Sequence, residues 1–163
     1  MSDFPAPIPE DRPLTAKESQ LARWLLQHGD ASGTSYLSQL DQAHVVSRCP
    51  CGCASIDFAV NGVTPPADAG MQILADFAWQ AADGSQFGIF VFSRGELLAG
   101  LEVWSIDGLA SPSILPRIDQ LHPILCNPVQ LHTVGGDGVQ PGVDLTSNSA
   151  IEDVMDDEST EES

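Results

Sequence analysis

The sequence predicts an α+β fold, in which N-terminal helices pack on an antiparallel sheet of about five strands. Three observations support this prediction: an amphipathic helical repeat near the N-terminus, a series of strand-like segments after it, and short turns between successive strands. Helices that precede a sheet can cover one of its faces, which is the α+β arrangement. Short connections between consecutive strands favour antiparallel pairing, so we expect a meander.

The helical repeat runs from Leu14 to Asp30. Thr15 and Glu18 form the T-x-x-E pattern of a capping box, which marks the start of a helix. Gly29 is expected to end the helix in the left-handed conformation. A second short helical turn is expected over Ser35–Leu40. The first helix should face the core with one apolar stripe, which contains Leu21, Trp24, Leu25 and His28.

Five later segments have the composition or the alternation of β-strands. Two-residue turns at Asp83-Gly84 and Arg94-Gly95 are typical of hairpins. The FGIFVF segment is apolar on both faces, so we expect this strand to be central. Four prolines between Ser111 and Pro128 predict an irregular segment there rather than a long helix. The five predicted strands are His44–Arg48, Ser55–Val60, Met71–Gln80, Phe87–Phe92 and Leu97–Ile106.

The chain of 163 residues has the length of one domain. We expect a flexible arm over residues 1–13, a single α+β domain over 14–125, and a linker with an acidic disordered tail over 126–163. No Lys or Arg follows Arg117, whereas ten Asp and Glu do. The last aromatic residue is Trp104, so the tail has few groups whose burial could offset the entropy of ordering it.

The chain carries 23 Asp and Glu against 6 Lys and Arg, which gives a formal charge of −17. This charge weighs against nucleic acids and membranes as partners, because both are polyanions. The sequence lacks a run of about 18 apolar residues and a secretory signal, so we expect a cytoplasmic protein. The expected function is that of a non-catalytic binding or adaptor protein without a cofactor, of the immunity type. Its acidic surface would engage a protein with a basic surface, in an oligomeric state that stays open.

Three of the four cysteines alternate along one short block, as Cys49, Cys51 and Cys53. Alternate side chains of an extended segment point the same way, so the three thiols can converge. Soft thiolates suit Zn²⁺ or Cu(I), and the alternative function is therefore that of a zinc- or copper-binding protein. The candidates for a fourth ligand are Cys126, His122, His44 and His132.

Other interpretations of this block stay open. Structural zinc sites usually combine two C-x2-C pairs, and no such pair is present in this sequence. In one interpretation the cysteines are small turn residues without a ligand. In another, Cys49 and Cys53 form a pair that can be oxidised.

Three carboxylates are candidates for acid–base chemistry, which a carboxyl group can perform when its pKa is raised. Asp57 and Asp76 lie on strands that are expected to be neighbours, whereas the FGIFVF strand is expected to separate Asp76 from Glu102. The alternative is a solvated sheet face. Serine-nucleophile, phosphate-loop and H-E-x-x-H patterns are missing from the sequence. We therefore assign no catalytic residue, and the sequence favours a protein that is not an enzyme.

The block RCPCGCASIDFAV, followed by ILADFAWQ and LLAGLEVWSIDG, resembles a family of small bacterial proteins that share R-C-x-C-G-C-x-S-I-D. The resemblance covers residues from about Leu14 to Ser113, and the cysteine block is its most specific part. It implies a bacterial cytoplasmic protein and carries no particular activity with it.

Overall fold

The computed structural model describes residues 5–124, which form a layer of helices and one sheet of seven strands. The strands are β1 (Ile8–Pro13), β2 (Ala43–Arg48), β3 (Ile56–Val60), β4 (Met71–Gln80), β5 (Gln86–Arg94), β6 (Leu97–Ser105) and β7 (His122–Pro123). The helices are α1 (Ala16–His28) and α2 (Leu37–Leu40), with 3₁₀ turns at Gly33–Tyr36 and Ile118–Gln120. The predicted α+β class is confirmed.

The sheet has seven strands rather than the five that the sequence predicts. The five predicted segments correspond to β2 through β6. Residues 8–13, which we expected to belong to a flexible arm, form β1 and pair with β2 from Ile8–Arg48 to Pro13–His44. The sequence did not predict this strand because it contains two prolines. Proline lacks a backbone donor and is tolerated only at a sheet edge, which is where β1 lies. The other additional strand is β7, which has two residues and pairs with Phe77 and Ala78 of β4.

All pairs are antiparallel, but the strand order is β1-β2-β3-β6-β5-β4-β7 rather than a simple meander. The hairpins β4–β5 and β5–β6 follow the prediction, whereas β6 rather than β4 pairs with β3. Residues 61–70 connect β3 to β4 across about three strand spacings, or roughly 14 Å. Ten residues are long enough to span this distance. The expectation that consecutive strands pair when their connection is short therefore does not apply to β3 and β4.

The capping box predicted for the first helix is confirmed. The Thr15 side chain accepts a hydrogen bond from the backbone of Glu18, and the Glu18 carboxylate accepts one from the backbone of Thr15 at 2.8 Å. The prediction for Gly29 is wrong, since its φ of −81° is not left-handed. Glycine is needed there for a different reason: a Cβ would lie 2.2 Å from the carbonyl oxygen of Leu74 on β4.

The core lies between the helices and one face of the sheet. From α1, the side chains of Leu21, Leu25 and Leu26 are fully buried against β4 and β5. The sheet contributes alternate residues, among them Phe58 and Leu101, which are also fully buried. Of the stripe predicted for the first helix, Leu21 and Leu25 face the core and Trp24 packs against it half-buried, whereas His28 is exposed.

No helix within residues 5–124 has the length and hydropathy needed to cross a membrane. The predicted linker and acidic tail over residues 126–163 lies outside the described residues.

Candidate metal centre

The three cysteines lie in the loop that joins β2 to β3, which we call the cysteine loop (residues 49–55). The backbone N–H of Cys49 donates to the carbonyl of Ser55 at 3.1 Å, so the β2–β3 pairing continues into the loop. The N–H of Gly52 donates to the carbonyl of Cys49 at 3.4 Å and closes a tight turn. Gly52 has a φ of +85°, a conformation that favours glycine. The thiols therefore converge through a turn rather than along an extended strand.

The loop places all three sulfur atoms within 4.8 Å of one another. The Sγ atoms of Cys49 and Cys51 are 2.7 Å apart. In a tetrahedral zinc site with Zn–S bonds of about 2.3 Å, two sulfurs are about 3.8 Å apart. A metal ion therefore requires these two thiols to open by only about 1 Å. Cys51 is exposed, and Cys49 and Cys53 are half-buried.

Cys49 and Cys51 differ in the pKa of their thiols. Burial, and then the hydrogen bond with Cys51, raises the pKa of the Cys49 thiol to about 12. The pKa of Cys51 is lowered, because the side chains of Cys49 and Cys53 and the backbone N–H of Cys53 donate to its sulfur. Cys51 therefore becomes the thiolate, which is the form that binds metals, more readily than Cys49 does.

Ser55 anchors the loop to the rest of the sheet. Its buried hydroxyl accepts hydrogen bonds from the Cys53 thiol at 3.2 Å and from the Val103 backbone on β6 at 3.0 Å. Sequence reasoning missed this residue as part of the site. A serine directly after the cysteine block was the available signal, but its burial depends on the pairing of β3 with β6.

Neither His44 nor His122, two of the residues proposed as a fourth ligand, is part of the cluster. His44 lies five residues before Cys49 on β2, a separation of about 17 Å along a strand, and its Nε2 atom is 2.7 Å from Asp11 Oδ1. His122 lies on β7, at the other edge of the sheet. Cys126 and His132 lie outside the described residues. Over residues 5–124, the cluster that can hold a metal consists of the three cysteines.

The candidate carboxylates lie on the sheet face that is turned away from the helices. Asp57 and Asp76 are not on neighbouring strands, because β6 and β5 lie between β3 and β4. Asp76 and Glu102 are instead both paired in register with Phe90 on β5, one on each side. Burial raises the pKa of Asp76, and burial together with the charge of Asp57 raises the pKa of Glu102 against a hydrogen bond from Ser55.

The chain was compared with protein-family models, with curated proteins and with solved structures, and none of the three comparisons gave a match. The resemblance of the cysteine block to small bacterial proteins therefore stays a prediction.

Proposed function

We propose that the protein binds one soft metal ion, Zn²⁺ or Cu(I), through Cys49, Cys51 and Cys53. The observation that supports this function is the convergence of three thiols within 4.8 Å in a loop of seven residues. Thiolates are the ligands that these two ions favour among protein side chains. The cytoplasmic location that the sequence predicts would keep the thiols reduced.

The exposure of the loop suggests how such a site would be used. Cys51 is exposed and the pKa of its thiol is lowered, so a metal ion can reach a thiolate directly from solvent. Structural zinc sites are closed by four protein ligands, whereas this cluster has three over the described residues. We therefore infer a site that acquires and releases its metal rather than one that supports the fold.

The test is a metal titration of the reduced full-length protein against a chromophoric chelator. We expect one equivalent of Zn²⁺ or Cu(I) to bind, and the affinity to rise with pH because the thiols must lose their protons. Each single Cys→Ser change in the loop should weaken binding at least about tenfold, which corresponds to about 1.4 kcal/mol. Ser38→Ala is the control, because it changes an exposed side chain on α2, outside the loop. Cys126→Ser tests separately whether the remaining cysteine is a ligand.

Two outcomes would contradict this function. One is a wild-type protein that retains neither ion against the chelator. The other is a variant with all three loop cysteines changed to serine that still binds one equivalent.

A second candidate function is the non-catalytic binding or adaptor role, of the immunity type, toward a protein with a basic surface. The observation that favours it is the group of carboxylates around Phe90. Within residues 5–124, neither Asp57, Asp76 nor Glu102 has an ion pair. A guanidinium group placed over the Phe90 ring could contact the carboxylates on both sides, and cation–π attraction would add to this contact.

This docking role can be tested with an arginine-rich peptide as the probe. Asp76→Asn combined with Glu102→Gln should weaken peptide binding at least about fivefold. The matched control is Asp83→Asn combined with Asp107→Asn, which removes two charges from exposed turns. Equal binding by the two double variants would contradict a docking site on this face.

A further inference from the structure

A cleft of about 360 Å³ adjoins the cysteine loop. Its walls are the first turn of α1, the ends of β1 and β2, residues 53–56, and residues 113–115. The backbone N–H of Ala54 donates to the carbonyl of Pro112 at 2.9 Å, which holds this last wall against the cysteine loop. Cys53 lines the cleft, so the cleft opens directly beside the thiol cluster.

The cleft is lined by Arg12, Lys17 and Arg48, which are three of the six basic residues in the chain. Arg12 is engaged by two carboxylates, with bonds of 2.7 Å to Glu10 and 2.9 Å to Glu18. A protein of charge −17 therefore concentrates half of its cations around one small cavity.

Two of these cations keep free hydrogen-bond donors. Lys17 Nζ donates to the Leu115 carbonyl at 2.7 Å and has no ion pair over the described part of the chain. Arg48 contacts Glu10 through Nε at 3.0 Å, and its side chain is 46% exposed. An ammonium group has three donors and a guanidinium has five, so both groups can bind an anion in the cleft. Glu18 also lines the cleft, but its carboxylate is paired with Arg12, so the free donors of Lys17 and Arg48 favour a small negatively charged ligand.

A metal ion on the three thiols lacks one ligand of a tetrahedral site over residues 5–124. Of the three cysteines, Cys53 lines the cleft. A ligand whose carboxylates bind Lys17 and Arg48 can therefore extend another of its atoms toward the metal as the missing metal ligand. Sulfur is the donor that a soft metal ion favours.

We propose that the cleft binds a small thiol that carries carboxylate groups, and that this ligand supplies the fourth sulfur to the metal. The inference rests on the proposed metal-binding function. One metal–sulfur bond forms, the ligand thiol loses its proton to solvent, and no electrons are transferred. The metal would then enter or leave the protein as a complex with an anionic thiol.

The test uses the full-length protein loaded with one equivalent of Co²⁺, whose sulfur-to-metal absorption reports the bound thiolates. Three probes are titrated: mercaptosuccinate, which has a thiol and carboxylates, mercaptoethanol, which has only the thiol, and succinate, which has only the carboxylates. We expect the absorption to increase with mercaptosuccinate at a concentration at least about tenfold lower than with mercaptoethanol. Succinate should compete with mercaptosuccinate without increasing the absorption.

The variants separate the cleft from general charge effects. Lys17→Gln combined with Arg48→Gln should abolish the preference for mercaptosuccinate while leaving the affinity for Co²⁺ unchanged. Arg23→Gln combined with Arg117→Gln removes two cations outside the cleft and should preserve the preference.

Three results would overturn the inference while the metal site stands. The first is equal affinity of the wild-type protein for the two thiols, and the second is a preference that survives in the Lys17 and Arg48 double variant. The third is a Co²⁺ spectrum that already shows four thiolates and loses one in Cys126→Ser. A protein that binds neither Zn²⁺ nor Cu(I) would instead contradict the proposed function itself.

Discussion

Gly29 directly follows α1 and lies against β4, so replacing it with alanine tests how the helix is docked. An added Cβ would lie 2.2 Å from the carbonyl oxygen of Leu74 and 2.4 Å from the Cβ of Ala75. The same carbonyl accepts a hydrogen bond from the Asp30 backbone at 3.0 Å. These neighbours are backbone or a short side chain, so neither can rotate away. The end of the helix must therefore move off β4.

The expected cost follows from this geometry. Forcing an additional methyl group into a packed site costs about 1–3 kcal/mol. Because the contacts here are with the backbone, we expect Gly29→Ala to lower the free energy of unfolding by about 2–3 kcal/mol. Gly70→Ala is the matched control, since a Cβ there meets nothing within 4 Å and its φ is not left-handed. It should be neutral or stabilise the protein by up to about 1 kcal/mol.

The assay is urea unfolding of the full-length protein, followed by tryptophan fluorescence. Trp79 is buried and Trp24 is half-buried, so both report loss of the core. The midpoint should fall for Gly29→Ala with an unchanged slope, because the same surface is exposed on unfolding. If Gly29→Ala is as stable as Gly70→Ala, the docking of α1 on β4 described here is wrong.

Three further predictions concern two carboxylates and a second glycine. Burial alone would raise the pKa of Glu18, but hydrogen bonds from Arg12 hold it below its ordinary value. The ionised Glu18 side chain therefore stabilises the fold above its unfolded-state pKa, and this stabilisation is lost as pH falls through its folded-state pKa. In urea unfolding, Glu18→Gln should lower the free energy of unfolding by about 1–2 kcal/mol at pH 7 and by less near pH 2. Burial raises the pKa of Glu102, so the stability of its protonated form is lost as pH rises, and Glu102→Gln should be more stable than wild type at pH 7 but not at pH 3. A Cβ on Gly88 would lie 2.3 Å from Nε1 of Trp104, an exposed side chain that can rotate, so Gly88→Ala should shift the tryptophan emission with less than about 1 kcal/mol lost.

Local pattern was sufficient for the interior strands and insufficient for the edges. Alternation of apolar and polar residues marks β3 and β4 because one face of each is buried in the core. The edge strand β1 has no such pattern: Ile8 and Arg12 are half-buried, and prolines stand beside both of them. β1 forms because it pairs with β2, which lies some 35 residues later in the chain. A short segment of sequence does not include both strands, so local pattern cannot predict β1.

The candidate metal centre could likewise be predicted from local sequence, whereas the cleft beside it could not. Cys49, Cys51 and Cys53 could be found because they are adjacent in sequence and a single turn brings them together. The cleft beside them could not be found, because Lys17 and Arg48 lie 31 residues apart and meet only when β1 pairs with β2. The net charge of −17 was a poor guide here, since a sum over the chain conceals a local excess of cations.

The architecture of the cysteine loop indicates why the proposed metal binding would be independent of folding. In zinc fingers the metal organises the ligands, so the free energy of binding is also the free energy of folding. Here, backbone hydrogen bonds from Cys49 to Ser55 and from Ala54 to Pro112 hold both sides of the loop, and the Ser55 hydroxyl bonds to Val103. These contacts involve no metal, so the thiols are already near their binding positions and little conformational entropy is lost when an ion enters. A site of this kind can therefore load and release its metal while the cleft and the sheet stay intact.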